Sequence, residues 1–180
     1  METRDAIALI ASAVGNGKGT WADLGAGVGT FTRALAQVLP PGSTIYAVDR
    51  DGAAVAAIRE WEGQERAKVI AVRADFTKPF ELPGLGNALL DGILLANALH
   101  FVADVVDVLE DLVSRVRVGG RVVVVEYDQR SKSRWVPYPI PIARWAELAQ
   151  KAGLSAPAVT ATQRSMYAGM LYAASTERIR

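Results

Sequence analysis

The 180-residue sequence has no cysteine. That absence excludes a disulfide framework, a thiolate metal site and a cysteine nucleophile. Long apolar runs are missing too: nothing approaches the roughly 18–20 residues needed to cross a bilayer. Charge of one sign is scarce, since 20 Lys and Arg offset 19 Asp and Glu to leave a net +1. Such a balance gives no basic face for nucleic acid and no pull toward an anionic membrane. His100 is the only histidine, and no metal site is expected. The apolar stretch Ala6–Val14 is flanked by Glu2, Arg4 and Asp5, unlike the basic leader of a signal peptide, so a cytoplasmic protein is expected. Repeats and low-complexity tracts are absent as well.

What is present is a globular composition, 51% apolar and 22% charged, in a length that suits one domain over residues 1–180. A chain of this size hides roughly 70% of its unfolded surface and can build a core without staples.

Short β-rich runs alternate with helical stripes. An N-terminal helix is expected within residues 1–18. Trp21–Leu24 reads as a strand that ends in a glycine-dense turn, Gly25–Gly29. Phe31, Ala34, Leu35 and Val38 then recur at helical spacing until Pro40-Pro41-Gly42. Strands are predicted at Ile45–Val48, Val69–Val72 and Gly92–Ala96, with a helix over Ala53–Trp61. Any helix in Phe76–Leu89 must be short, because Pro79, Pro83, Gly84 and Gly86 interrupt it. Val105, Val108, Leu109, Leu112 and Val116 form one helical stripe that Gly119-Gly120 should end. Arg121–Tyr127 suits a strand buried on both faces. A helix starts at Pro141, and the stretches Ala158–Thr162 and Met166–Ala173 should pair antiparallel across a short turn. The order implies an α/β fold: a doubly wound, mostly parallel seven-stranded sheet with helices on both faces and a closing antiparallel strand.

In such sheets ligands bind beyond the carboxyl ends of the strands. The first end carries Asp23-Leu-Gly-Ala-Gly-Val-Gly29. Glycines there let the backbone pass close to a ligand and expose helix N–H groups. The dinucleotide fingerprint requires glycine at position 30, which is Thr30. The second end is Asp49, where an acid can accept both hydroxyls of a ribose or cap the following helix, a task for which Asp51 is equally well placed. The third is Asp75-Phe76, an acid beside an aromatic, which suits an adenine. The fourth runs Leu95-Ala96-Asn97-Ala98-Leu99-His100.

Together these four strand ends resemble the class I S-adenosylmethionine-dependent methyltransferases, whose fold adds a terminal antiparallel strand to a Rossmann-like sheet. The resemblance covers Trp21 to Ala174. It implies that Asp23, Gly25, Gly27 and Gly29 cradle the methionine end of S-adenosylmethionine. It further implies that Asp49 and the adjoining Arg50 take the ribose, that Asp75 and Phe76 frame the adenine, and that Asn97 lies beside the reactive centre. The run from Leu95 to Phe101 is similar to the small-molecule, quinone-biosynthesis-type branch. Asn97 is followed by Ala98-Leu99, not by the Pro-Pro-aromatic run of amino-directed DNA and protein-glutamine enzymes. Without cysteine, cytosine-C5 and arsenic chemistries are excluded too.

The expected activity is in-line methyl transfer to a small-molecule acceptor, with His100 and Tyr127 the candidate acid–base residues beside Asp128 and Tyr138. The segment Asp128–Pro139 carries Arg130, Lys132, Arg134, Trp135 and Tyr138, which suits an acceptor that is aromatic, anionic or both. With little chain ahead of the first strand, either the site is open, or that segment covers it, or a second subunit of a homodimer does. A non-catalytic binding module of the same fold is the alternative. A nicotinamide oxidoreductase is disfavoured by Thr30 and by the closing hairpin.

Overall fold

The computed structural model describes residues 1–165 and 169–180. Its strands are β1 (Thr20–Leu24), β2 (Thr44–Asp49), β3 (Lys68–Arg73), β4 (Leu90–Ala96), β5 (Val116–Tyr127), β6 (Ala158–Arg164) and β7 (Met170–Glu177). They form one sheet in the order β3-β2-β1-β4-β5-β7-β6. β1 to β5 run parallel, and β7 is antiparallel to both β5 and β6. The antiparallel strand is therefore internal, and β6 forms the edge. The sequence places β7 at Met166–Ala173; it occupies Met170–Glu177, and residues 166–168 lie outside the described residues.

The helices are α1 (Thr3–Val14), α2 (Thr30–Val38), α3 (Gly52–Arg59), α4 (Val105–Ser114) and α5 (Ile142–Lys151). Strand side chains alternate between two cores, as a period of two requires. Val123 and Val125 face the core that contains Leu9, Leu35 and Ile58 of α1, α2 and α3. Val122 and Val124 face the one containing Leu109 of α4 and Trp145 of α5. All four valines are fully buried. The order in which successive strands are added reverses between β1 and β4, which opens a crevice at their carboxyl ends.

Two local expectations are corrected. Val116 does not extend α4, and Gly119-Gly120 does not stop it. The helix ends at Ser114, and Val116 pairs with Leu90 of β4. The glycines instead form an irregularity inside β5, where the register shifts between Leu90 and Gly92. Gly119 has φ 74°, and a Cβ on Gly120 would sit 2.6 Å from Val116 Cγ1. Only glycine allows that close approach. Between β3 and β4 the chain crosses in turns, with no helix.

Candidate active site

The crevice holds three adjoining cavities, and Asn97 lines all of them. The first, about 320 Å³, is bounded by Asp23, Gly25, Gly27, Phe31 and Tyr127. The second, about 310 Å³, lies across the glycine turn and is bounded by Asp49, Arg50, Asp75, Phe76 and Phe101. The third, about 570 Å³, is bounded by His100, Phe101, Tyr127, Arg130 and Trp135. Gly25 and Gly27 divide the first two cavities. Gly27 has φ 55°, and a Cβ there would meet nothing within 4 Å. Gly29 differs: at φ 89° its Cβ would lie 2.4 Å from the Trp61 ring. It allows the loop to pack on Trp61 and lines none of the three cavities.

Asp23 is buried at the end of β1 and accepts from Thr32 Oγ1 at 2.6 Å. Its second oxygen, Oδ1, is buried and has no partner among the described residues. Burial pushes its carboxyl up to about 7, and the nearby Asp49 charge adds to this, while the Thr32 hydrogen bond opposes it. Asn97 leaves β4 in the left-handed region at φ 54°, and its Oδ1 is also buried with no partner among the described residues. A non-glycine residue held there stores strain. Two buried polar atoms without partners among the described residues therefore belong to residues that line the first cavity, and a ligand donor would satisfy each.

Asp49 does not cap α3. Asp51 does, with Oδ1 accepting from Ala53 N–H at 2.9 Å. Asp49 instead takes Gly27 N–H on Oδ2 at 2.7 Å and Asp51 N–H on Oδ1 at 2.9 Å. It fixes the glycine turn and keeps lone pairs for further donors. Asp75 turns Oδ1 to the Thr77 hydroxyl and N–H. The hydroxyl bond is the main cause holding its carboxyl below the usual range.

His100 follows β4 in a single 3₁₀ turn, Leu99–Phe101, and is buried. Its Nδ1 lies 2.6 Å from Oε2 of Glu126, which is fully buried at the end of β5. Glu126 Oε1 also accepts the His100 backbone N–H at 3.3 Å. An ionised Glu126 would accept from Nδ1–H and so leave the lone pair of a neutral imidazole on Nε2. Burial, then the charges of Glu126 and Asp128, push the adjoining Tyr172 hydroxyl upward. Sequence reasoning missed Glu126. The available signal was an acid at the end of a strand expected to be buried on both faces.

The Tyr127 ring lies 6.1 Å from the imidazole and separates the first cavity from the third. Asp128 is committed to α5, accepting from Ile142 N–H at 3.0 Å. Tyr138 lines none of the three cavities, but its N–H donates to His100 O at 3.0 Å and ties the 128–139 segment to the site. If that segment closes over bound ligands, cleavage within it by trypsin at Arg130, Lys132 or Arg134 should slow when both ligands saturate the protein. Limited proteolysis followed by mass spectrometry checks this, and unchanged cleavage excludes closure.

The sequence from Ala22 to Val122 matches a family described as "Methyltransferase domain". The chain belongs to that family. The match runs from β1 into β5 and contains all the residues that line the second cavity, but it stops before Glu126, Tyr127 and the 128–139 segment. No curated protein matches this methyltransferase domain in sequence.

Solved structures match its fold. The mitomycin 7-O-methyltransferase MmcR superimposes with a TM-score of 0.72 at 20% identity, over 98% of this chain and 53% of its own. The methyltransferase domain thus spans about half the length of that relative. A SAM-dependent methyltransferase from Aquifex aeolicus gives 0.71 at 16% identity, over 94% of this chain and 88% of its own. Magnesium protoporphyrin IX methyltransferase from Synechocystis, crystallised with bound SAM, gives 0.68 at 16% identity, over 98% and 77%.

Proposed function

We propose that this methyltransferase domain uses S-adenosylmethionine to methylate a hydroxyl of a small-molecule acceptor, with His100 as general base. The observation that carries the reading is the buried Glu126–His100 pair beside Asn97, where the acceptor-side cavity meets the other two.

The residues present fit that cofactor. Asp23 Oδ1 and Asn97 Oδ1 are buried with no donor among the described residues, and a methionine ammonium would supply donors of the right charge for the first. Asp49 retains acceptor capacity for ribose hydroxyls, with Arg50 beside it in the same cavity. Asp75 and Phe76 offer an acceptor and a ring face to an adenine. When bound, S-adenosylmethionine supplies the activated methyl group. Phe76 and Phe101 line the second cavity. His100 Nε2 takes the acceptor proton, and Glu126 holds the tautomer that makes this feasible and offsets the imidazolium charge that results. Tyr127 walls the acceptor side. Orientation of two ligands in one crevice can supply about 7–11 kcal/mol.

Thermal shift with S-adenosylhomocysteine, followed by acceptors added to that complex with labelled S-adenosylmethionine, tests the reading. Stabilisation without turnover on any hydroxyl acceptor would leave a binding module. Asp49→Ala should weaken S-adenosylhomocysteine binding by about 1.5–3 kcal/mol, the range for hydrogen bonds to a charged group. Asp51→Ala should instead lower stability by about 0.5–2 kcal/mol through loss of the α3 cap. Calorimetry and melting on both variants check the pair, and equal effects on both measurements would contradict the division of labour.

A further inference from the structure

The acceptor-side cavity is walled by three aromatic rings and reached by one charged side chain. Phe101 and Trp135 are 53% and 62% exposed, although each large ring left in water forgoes burial worth more than most contacts. Both stand at this one opening. The Arg130 guanidinium lies over the Tyr127 ring at 4.5 Å. Lys132 lies over Tyr138 at 5.5 Å, and Arg134 over Trp135 at 4.5 Å. Among the described residues no carboxylate pairs with any of the three, whose only partners are ring faces. Of the three cations only Arg130 lines the cavity, and it places there a positive charge that has no carboxylate partner among the described residues.

A guanidinium stacked on a ring keeps its in-plane N–H groups free. Arg130 can therefore accept a bidentate anion without leaving Tyr127. A neutral aromatic would leave those donors unmet. An aliphatic anion would leave the ring faces wet.

Resting on the methyltransferase reading, we infer that the acceptor is a flat, hydroxylated aromatic carrying an ionised acidic group. Its ring lies against the wall made by Phe101 and Trp135, its anion pairs with Arg130, and its hydroxyl reaches His100.

Binding of the isomeric hydroxybenzoates, their uncharged amides and the saturated hydroxycyclohexanecarboxylates distinguishes the parts of this inference. Calorimetry on the protein, alone and with S-adenosylhomocysteine, gives the readout. At least one hydroxybenzoate should bind about tenfold or more tightly than its amide and its saturated counterpart, as a charge-assisted pair and a stacked ring each require. Arg130→Gln should remove the preference for acid over amide while the melting temperature holds. Trp135→Leu should reduce the preference for the flat ring. Equal binding of acid and amide, equal binding of flat and saturated rings, or no binding of any probe would each overturn the inference. Failure of the underlying reading shows separately, as absence of S-adenosylhomocysteine binding.

Discussion

Replacing His100 with glutamine should lower kcat by about 100-fold or more, the scale of a lost general base, with S-adenosylhomocysteine affinity intact. The wild-type pH–rate profile should show an acidic limb where Nε2 is protonated, and the variant should lack it. Glutamine keeps the size and polarity of the side chain but cannot take the proton. Glu126→Gln should have a comparable effect for a different reason. The carboxamide can donate to Nδ1, which would move the imidazole proton to Nε2 and block it. Because Glu126 Oε2 sits 2.6 Å from Nδ1 in a fully buried setting, the tautomer depends on that single contact. Steady-state kinetics across pH on both variants check this. A change confined to acceptor KM would make His100 a positioning residue, and an unchanged rate and profile would leave proximity as the whole mechanism.

Cofactor affinity should rise about tenfold per pH unit between pH 5 and 7 and then level off, because a bound ammonium requires Asp23 ionised. In the free protein burial holds this carboxyl at about 7, against 3.8 for an ordinary aspartate. The difference corresponds to roughly 4 kcal/mol between the two protonation states. The folded state therefore binds the Asp23 proton over a window in which the unfolded chain has released it. Stability of the free protein should fall as pH rises from about 4 to about 7, and ligand binding in that window should release a proton. Thr32 opposes the shift and Asp49 strengthens it. Asp23→Asn should flatten both curves and weaken binding. Calorimetry in buffers of different ionisation enthalpy measures the proton directly. Affinity that does not change between pH 5 and 7 would exclude Asp23 as the ammonium partner.

Much of the fold was legible because its signals are local. The valine run of β5, the stripe of α4 and the prolines and glycines between elements each carry their own period or break. The Gly119-Gly120 pair misled, since a glycine pair after a helical stripe reads as a stop. Its real constraint, a close approach to Val116 and to the backbone of Arg117 and Asp91, is tertiary. The site divides the same way. Asp23, Asp49, Asp75 and Asn97 stand at strand ends and could be found from strand order alone. Glu126 could not be tied to His100, because the two are 26 residues apart and meet only when β4 and β5 pair. The orphaned oxygens of Asp23 and Asn97 follow from burial and from one left-handed residue, neither of which has a sequence signature. The placement of Arg130, Lys132 and Arg134 over ring faces likewise appears only in three dimensions.

Calorimetric titration of the purified chain with S-adenosylhomocysteine, and separately with NAD, tests the central claim most directly. Saturable binding of one equivalent of S-adenosylhomocysteine, weakened by Asp49→Ala and absent for NAD, is the expected result. No heat with S-adenosylhomocysteine, or binding that Asp49→Ala leaves untouched, would contradict the assignment of the crevice between β1 and β4 as its site.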